Sequence, residues 1–523
     1  MTDDLRVPDY ASWAAVRERV RSAVPEAFAE DGPTNLVDGE WRSVGRASEQ
    51  VTPVDRSVLG HTRKVDASTA SDAVKRAAAA HREWATVDLD ERRRRVAAAI
   101  DAMADVRDDL ALLLCWEIGK PWKAACSDVD RCLEGGRWYV DVVEDMLSRD
   151  VEGAPCSRTP LEGPVSNIAS WNYPMSVLVH AELVQLLAGN AVVAKTPSQG
   201  GAVCLTVAHA LMARAGLPVT LLSGDGSELS DALIRSPEIG ALAFVGGRSN
   251  GGKVAAQLAD TGKRHMLEQE GLNTLGVWEF SDWETLGGLL TKGFEYAKQR
   301  CTAYPRFVVQ RELVDAFLAT YLPVVQGIRF GHPLATATEE LPTLDFGPLI
   351  SAAKAAELDD SVQDALRHGA VPLYRGGTGS GTFLPGQDTS AYHAPVAMLA
   401  PPGASRLMHE EPFGPVDSII VVDTEAELLA QMNASNGALV ATIANDDEAS
   451  ATRMAEQVQA FKVGINRLRS RGDREEAFGG YGASWKGAFV GGEYVVHAVT
   501  QGPPGEILYG NFPGYTRYPK GGA

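Results

Sequence analysis

Short apolar segments alternate with helical segments between residues 163 and 245, and this alternation constrains the fold more than any other feature of the sequence. Strands are predicted at 163–170, 191–195, 219–222 and 241–245, with helices at 175–187, 201–215 and 227–235 between them. Strands separated by helices of about 10–15 residues are typical of parallel sheets built from crossover units. The sequence therefore predicts an α/β fold with a Rossmann-type sheet.

The carboxyl edge of that sheet is the predicted ligand site, because ligands bind beyond the carboxyl ends of parallel strands. Asn172, Lys195 and Gly246 each follow a predicted strand at this edge. Gly246 also precedes a helical segment, where a glycine lets a ligand approach the backbone and free N–H groups favour a phosphate.

Two glycine-rich segments match nucleotide-binding motifs only in part. Residues 247–253 fit G-x-x-x-x-G-K, but Val254 stands where a Ser or Thr is needed to bind magnesium, which argues against an ATPase. Residues 224–226 follow a strand, but Leu229 replaces the third glycine of G-x-G-x-x-G. The second segment is therefore more typical of a plain strand-to-helix turn.

Length and composition limit the class of protein. A chain of 523 residues is too long for one core and predicts two or three domains, and its net charge of −19 argues against nucleic-acid or anionic-membrane partners. The six cysteines form no C-x-x-C pair, so neither a disulfide framework nor a metal site is expected. The acidic N-terminus lacks an apolar signal segment, and polar residues interrupt the longest apolar stretch, so we expect a cytoplasmic protein.

Cys301 and Glu268 form a candidate catalytic pair. Cys301 follows Arg300 and a helix-like segment at 283–297, and a cation or helix end beside a cysteine lowers its pKa toward the nucleophilic thiolate. Glu268 ends a strand-like segment earlier in the chain, and the fold could bring it to the cysteine as a group that activates water. A lone free cysteine is more often a small buried side chain, so the pair alone does not decide the function.

Several segments, in a fixed order over about residues 35–500, resemble the aldehyde dehydrogenase superfamily of NAD(P)-dependent, thioester-forming enzymes. The matching segments are 171–174 for W-N-x-P, 193–197 for V-x-K-P, 244–247 for F-T-G-S, 267–271 for L-E-L-G-G, 299–306 for G-Q-x-C-x-x-x-x-R, 411–416 for E-I-F-G-P-V and 477–480 for P-F-G-G. The Cys and Glu motifs are specific in combination.

The resemblance implies a catalytic role for three residues. Cys301 would attack the aldehyde carbon, and the side-chain amide of Asn172 with the backbone N–H of Cys301 would stabilise the oxyanion. Glu268 would activate the water that hydrolyses the thioester to the carboxylic acid.

The resemblance also implies a binding site for NAD or NADP. Lys195 and Glu411 would hold ribose hydroxyls, Gly246 would lie under the pyrophosphate, and Phe413 would pack near the nicotinamide ribose. The full set implied for the cofactor is Trp171, Lys195, Ser198, Gly246, Gly247, Glu411 and Phe413. No metal ligand is implied.

The family architecture implies a cofactor-binding domain, an α/β catalytic domain and a small bridging or oligomerisation arm. The expected bounds are 1–138 and 160–266 for the cofactor-binding domain, 267–465 for the catalytic domain, and 139–159 with 466–523 for the arm and a C-terminal tail. Family members with such an arm form dimers or tetramers, so a homodimer or homotetramer is expected, with a small aldehyde as substrate. The tail beyond about residue 500 would cap a neighbouring subunit or cover the substrate entrance.

Some segments depart from the family pattern. Gln269 and Glu270 replace an apolar residue and a glycine beside Glu268, which changes the polarity around the base. Ser198 stands where many NAD-specific members carry a carboxylate that would repel a 2′-phosphate, so NADP or dual use is expected. Residues 482–485 do not match the family's K-x-S-G, so the helix expected there would be shortened or remodelled.

The substrate and the acyl acceptor stay open. Arg300 and Arg306 flank the nucleophile in sequence, and arginine can bind a carboxylate or phosphate with two hydrogen bonds, which makes an anionic aldehyde worth testing. A coenzyme A-acylating dehydrogenase is an alternative, although such enzymes typically lack the base that Glu268 would supply. A non-catalytic protein with the same fold is a second alternative.

Overall fold

The computed structural model describes residues 5–148, 157–168, 170–435, 437–472, 474–502 and 506. The strands are β1 (Asn35–Val37), β2 (Glu40–Arg42), β3 (Arg46–Val51), β4 (Val58–Lys64), β5 (Thr159–Pro160), β6 (Val165–Ile168), β7 (Val192–Lys195), β8 (Val219–Leu222), β9 (Ala241–Val245), β10 (Arg264–Glu268), β11 (Thr274–Val277), β12 (Arg306–Gln310), β13 (Val371–Arg375), β14 (Val396–Leu399), β15 (Val416–Val422), β16 (Val440–Ala444), β17 (Lys462–Ile465), β18 (Trp485–Gly487) and β19 (Thr500–Gln501). The α-helices are α1 (Trp13–Ala23), α2 (Ala67–Trp84), α3 (Leu89–Asp105), α4 (Arg107–Ile118), α5 (Trp122–Ser148), α6 (His180–Leu187), α7 (Ala202–Arg214), α8 (Gly226–Ser230), α9 (Arg248–Leu258), α10 (Trp283–Gly293), α11 (Val314–Gly327), α12 (Ala352–Arg367), α13 (Glu425–Met432), α14 (Glu448–Ala455) and α15 (Gly492–Ala498).

The first sheet has the strand order β18-β10-β9-β6-β7-β8-β1-β2. Its central strands β10, β9, β6, β7 and β8 are parallel, and β1 and β18 pair antiparallel at either end of that run. Every residue of β7 and β8 is buried, because helices cover both faces of such a sheet. The alternation in the sequence correctly predicted this α/β sheet.

A second sheet has the order β13-β14-β15-β12-β11-β16-β17. All its strands run parallel except β13, which pairs antiparallel with β14. Strand β10 of the first sheet and β11 of the second are joined by residues 269–273 alone. The chain therefore passes from one sheet to the other directly after Glu268.

Local sequence signals explain several helix ends. Asp66 accepts a hydrogen bond of 2.8 Å from the Thr69 N–H at the start of α2, and Asp88 does the same for Glu91 at the start of α3. Helix α4 ends at Gly119, whose φ of 70° is left-handed. A Cβ at Gly119 would also lie 2.3 Å from the side chain of Pro348, so both the left-handed backbone and the lack of space require glycine at this position.

The helix predicted at 283–297 is wrong at its C-terminal end. Helix α10 stops at Gly293, and Tyr296, Ala297 and Lys298 then adopt φ values of 56°, 53° and 56°. Tertiary contacts override the helical pattern: the buried Tyr296 hydroxyl donates to the Ile118 carbonyl at 3.2 Å, and its N–H donates to the carbonyl of Asp345 at 2.9 Å. This left-handed turn leads into Cys301.

The segment that replaces the family's K-x-S-G contains little helix. Residues 482–484 form a single 3₁₀ turn, and β18 then pairs antiparallel with β10, which sets Trp485 opposite Glu268. Strand β18 therefore lies in the first sheet, although the sequence assigned it to the bridging arm. Strands β5 and β19 form a separate two-stranded sheet.

Most of the predicted C-terminal tail lies outside the described residues. Of that tail, residues 501, 502 and 506 are described. Glu506 forms ion pairs with Arg158 at 2.6 Å and with Arg264, the first residue of β10, at 3.5 Å. Across the described ranges, no helix combines the length and the apolar composition that a bilayer span needs.

Candidate active site

Three buried amide side chains fix the loop that carries Cys301. Asn172 Nδ2 donates to the carbonyl of Gln299 at 2.9 Å, and Asn273 Nδ2 donates to the carbonyl of Cys301 at 2.7 Å. Gln299 Oε1 in turn accepts from the N–H of Ile350 at 3.0 Å. Because Asn172 follows β6 and Asn273 precedes β11, the loop is tied to both sheets.

Glu268 lies beside Cys301, and a cation that the sequence did not indicate joins them. Glu268 is the last residue of β10 and is 1% exposed. Its Oε2 accepts from Arg471 Nη1 at 2.6 Å, while Oε1 has no hydrogen-bond partner within the described part of the chain. The structure therefore brings together the two residues that the motifs singled out and adds Arg471 to them.

The thiol of Cys301 is not activated by its sequence neighbour. Burial, followed by the negative charge of Glu268, raises the pKa of Cys301 well above its ordinary value. The cation that opposes this rise is Arg471, whereas Arg300 is turned to the carbonyls of Lys292 and Gly293. The sequence-based expectation of a lowered pKa is wrong for this state, because burial and a nearby carboxylate outweigh the cation.

Cys301 lies where two cavities meet. One cavity of about 400 Å³ is lined by Ser176, His180 and Tyr304 among others. The other, of about 900 Å³, lies between the carboxyl edge of the first sheet and the second sheet, and Glu268 forms part of its wall. Cys301 thus forms part of the wall of both cavities.

The smaller cavity is positively charged. The ionisable side chains on its wall are the cations Arg131, Lys292, Arg300, Arg469, Arg471 and Arg474 and the carboxylates Glu134 and Glu295. Burial, with the charges of Arg471 and Arg474, lowers the pKa of His180 on the same wall to about 4, so His180 is neutral near pH 7.

Arg306 does not contribute to this charge. It is 0% exposed, and Nη2 donates to the carbonyl of Met408 at 2.6 Å. Burial lowers its pKa to about 10. Of the two arginines that flank the nucleophile in sequence, only Arg300 reaches the cavity, and Arg306 is a structural residue.

The larger cavity contains most of the residues predicted to bind the cofactor. Trp171, Gly246, Gly247, Glu411 and Phe413 all line it, as does the predicted catalytic residue Asn172. Glu411 is buried, its Oε1 has no partner among the described residues, and burial with the nearby Glu270 raises its pKa well above the ordinary value. The rings of Trp171 and Phe413 meet edge to face at 5.9 Å.

Lys195 and Ser198 lie outside the wall of this cavity. Lys195 is the last residue of β7, is buried, and donates from Nζ to the carbonyl of Thr196 at 2.8 Å. Burial lowers its pKa to about 8. Ser198 is exposed, and its neighbour Gln199 reaches the wall instead.

Gln269 and Glu270, which differ from the family pattern beside Glu268, have different surroundings. Gln269 is buried and packs over Gly251, where a Cβ would lie 2.6 Å from the glutamine side chain. Glu270 faces the larger cavity and forms an ion pair of 3.2 Å with Arg248, the first residue of α9. No cluster of His, Cys, Asp and Glu suited to a metal ion occurs within the described ranges.

Comparison with known proteins identifies the class of this fold and site. The family model for the aldehyde dehydrogenase family matches residues 41–502. Alpha-ketoglutarate semialdehyde dehydrogenase of Haloferax volcanii is 28% identical over 467 residues, which covers 86% of this chain and 94% of that protein. Mitochondrial succinate-semialdehyde dehydrogenase of Oryza sativa subsp. japonica is 26% identical over 445 residues, covering 82% of this chain and 81% of that one.

A solved structure agrees with these relatives. The NADP-dependent glyceraldehyde-3-phosphate dehydrogenase from Bacillus halodurans C-125, complexed with NADP, superposes with a TM-score of 0.81 at 26% identity, covering 90% of this chain and 98% of that chain. The molecule is thus of the class of oxidoreductases that act on aldehydes. The chain belongs to the aldehyde dehydrogenase family.

Proposed function

We propose that this protein uses NAD(P) to oxidise an anionic aldehyde to the carboxylic acid through a thioester on Cys301, which water activated by Glu268 hydrolyses. The observation that carries this proposal is the position of Cys301. Cys301 lines both a cationic cavity, suited to an anionic substrate, and a larger cleft, suited to a dinucleotide, and a buried carboxylate lies beside it.

The proposed reaction has two halves. The Cys301 thiolate adds to the aldehyde carbon, and the side-chain amide of Asn172 and the Cys301 N–H stabilise the oxyanion. The dinucleotide, when bound, supplies the hydride acceptor for the oxidation that leaves an acyl group on the sulfur. Glu268 takes a proton from water, whose oxygen adds to the acyl carbon and displaces the thiolate. Overall, aldehyde, NAD(P)⁺ and water give acid, NAD(P)H and a proton.

The residues of the larger cleft fit a dinucleotide. Glu411 has a buried oxygen without a partner among the described residues, and a ribose hydroxyl would supply the missing donor. Gly246 and Gly247 precede the 11-residue helix α9, whose N-terminal N–H groups favour a phosphate. Because Ser198 carries no charge to repel a 2′-phosphate, we propose NADP preference or dual use.

Two lines of support favour an anionic substrate. Six cations line the smaller cavity, and four of them pair with the carboxylates of Glu134, Glu268, Glu295 and Glu476, which leaves an excess of positive charge that favours an anion. The names of the relatives above denote aldehydes that carry a carboxylate or a phosphate. Arg469, Arg471 and Arg474, rather than Arg306, are the groups proposed to recognise the anion.

An aldehyde panel with each cofactor tests the function. Purified protein is assayed for nicotinamide reduction with pairs of aldehydes of equal chain length, one ending in a carboxylate and one in a methyl group. We expect turnover that favours the carboxylate member, that is lost in Cys301→Ala and that remains in the matched Cys126→Ala variant. Absence of turnover with every aldehyde and both cofactors would contradict the proposal.

Adding coenzyme A separates the two acyl acceptors. If Glu268 activates water, the acid is the product and coenzyme A leaves the rate unchanged. A rate that rises with coenzyme A, together with an acyl-coenzyme A product, would favour the acylating alternative instead.

We also propose a homodimer or homotetramer. In the described part of the chain, β5 and β19 form only a two-stranded sheet, which is marginal alone and would be stabilised by strands of another subunit. Light scattering during size-exclusion chromatography measures the mass directly, and a monomer at micromolar concentration would contradict this part of the proposal.

A further inference from the structure

We propose that Arg471 has two alternative partners, Glu268 and the anionic end of the substrate, so that binding of an anionic aldehyde releases Glu268 to act as the base. This inference rests on the proposed function. It adds Arg471 as a positioning residue that couples substrate recognition to the hydrolytic step.

The first partner is seen directly. Arg471 Nη1 lies 2.6 Å from Glu268 Oε2, and the guanidinium stands 5.5 Å over the ring of Phe478. The side chain of Arg471 is 26% exposed, whereas that of Glu268 is 2% exposed. Arg471 therefore holds the buried carboxylate through one N–H group and also forms part of the cavity wall. The remaining N–H groups of its guanidinium are the ones proposed to bind the anion.

The contact with Glu268 restrains base catalysis while it lasts. While the contact lasts, Glu268 Oε2 accepts from Arg471 and is not free to accept a hydrogen bond from the hydrolytic water at that position. Glu268 Oε1 is buried and without a described partner, so the carboxylate depends on Arg471 for compensation of its charge. When a second anion binds to Arg471 in place of Glu268, Oε2 of Glu268 becomes free to accept a hydrogen bond and then the proton from the hydrolytic water.

The same loop contains a matched control. Arg474 lies three residues further along and lines the same cavity, but it pairs with Glu134 of α5 at 2.5 Å and not with Glu268. Replacing Arg474 by glutamine removes one positive charge from the cavity, as the same change at Arg471 does. Only the change at Arg471 also removes the contact with the base.

The test compares kcat and KM for the wild type, R471Q, R471K and R474Q with one carboxylate-bearing aldehyde and one methyl-ended aldehyde of equal length. In the wild type we expect kcat to be about tenfold higher for the carboxylate-bearing aldehyde. R471Q should bring that ratio of kcat close to one, R471K should restore part of it, and R474Q should raise KM for the anionic aldehyde with the ratio unchanged.

A measurement on the wild type keeps the inference testable if R471Q does not fold. Sodium formate should raise kcat for acetaldehyde several-fold, because formate binds Arg471 in place of Glu268. Sodium chloride of equal ionic strength should leave kcat unchanged. The inference would be overturned if R471Q kept the wild-type ratio of kcat, or if R474Q lowered that ratio as much as R471Q does. It would also be overturned if formate only inhibited the enzyme. Those results would leave the proposed function standing, whereas no turnover of either aldehyde would contradict the function itself.

Discussion

The side-chain amide of Asn273 donates a hydrogen bond of 2.7 Å to the carbonyl oxygen of Cys301, and this contact ties the nucleophile to the second sheet. The same amide donates to the carbonyl of Ala303 at 2.8 Å, and its oxygen accepts from the N–H groups of Leu439 and Val440 at 3.0 and 3.1 Å. One side chain, 0% exposed, thus joins the active-site loop to the start of β16.

Replacing Asn273 by alanine should cost both stability and activity. The change leaves buried backbone groups on both segments without partners, and each such group costs about 1–3 kcal/mol. We expect the free energy of unfolding to fall by at least about 3 kcal/mol. Because the Cys301 loop loses its anchor, kcat should fall by about 100-fold.

Denaturant unfolding and steady-state kinetics measure the two effects of the Asn273 change. The matched control is Asn433→Ala, which removes an asparagine with two hydrogen bonds at the end of α13, far along the chain from Cys301. That variant should keep wild-type kcat. An Asn273 variant with unaltered kcat would show that the loop is held without this amide.

The charge of Lys195 should give cofactor binding a pH dependence. Burial lowers its pKa to about 8, so the buried amine loses its proton as the pH rises through that value. Since the resemblance to the family implies that the ammonium group of Lys195 holds a ribose hydroxyl, the dinucleotide Kd should increase between about pH 7 and 9. Fluorescence titration measures this, and Lys195→Met should bind more weakly with a flat pH profile.

The same rise in pH that weakens cofactor binding should increase the free energy of unfolding of the cofactor-free protein. The pKa of Lys195 is lower in the folded state than the unfolded value of about 10.4, so the unfolded state binds more protons between about pH 8 and 10.4. Over this window the contribution of Lys195 to the free energy of unfolding rises by up to about 3 kcal/mol. A Lys195→Met variant with the same pH slope as the wild type would contradict this assignment.

Arg306 should matter for folding and not for substrate recognition. Replacing it by methionine leaves the carbonyl of Met408 without its donor in a buried site. We expect a loss of about 3 kcal/mol in the free energy of unfolding, with KM for an anionic aldehyde unchanged. The matched change Arg300→Met, at a side chain 18% exposed on the cavity wall, should raise that KM. A raised KM in the Arg306 variant at full stability would contradict the structural role.

Much of the fold could be predicted from the sequence because its signals are local. The strands β6 to β9 are short, largely buried segments, and a helical segment separates each from the next. The turn at residues 296–298 could not be predicted in this way. Its left-handed backbone depends on where Tyr296 and Lys298 find partners, and the Asp417 carboxylate that pairs with Lys298 at 2.6 Å lies far along the chain.

The candidate site was predicted only where it follows sequence motifs. Cys301, Glu268 and Asn172 stand in segments with family patterns, and the fold brings them to one place. Arg471 is 203 residues from Glu268 in an irregular loop, where three arginines among charged neighbours look like an ordinary solvated segment. The pairing of β18 with β10 returns the C-terminal part of the chain to Glu268, and this pairing explains how Arg471 reaches Glu268.

Trapping the acyl group on Cys301 tests the account most directly. In Glu268→Gln the thioester should form but hydrolyse slowly, so mixing the variant with aldehyde and NAD(P)⁺ should reduce about one nicotinamide per site in a burst. Mass spectrometry after rapid quenching should then find the acyl group on the peptide that contains Cys301, and Cys301→Ala should show none. A Glu268→Gln variant that turns over at the wild-type rate, with Cys301 never acylated, would contradict the account.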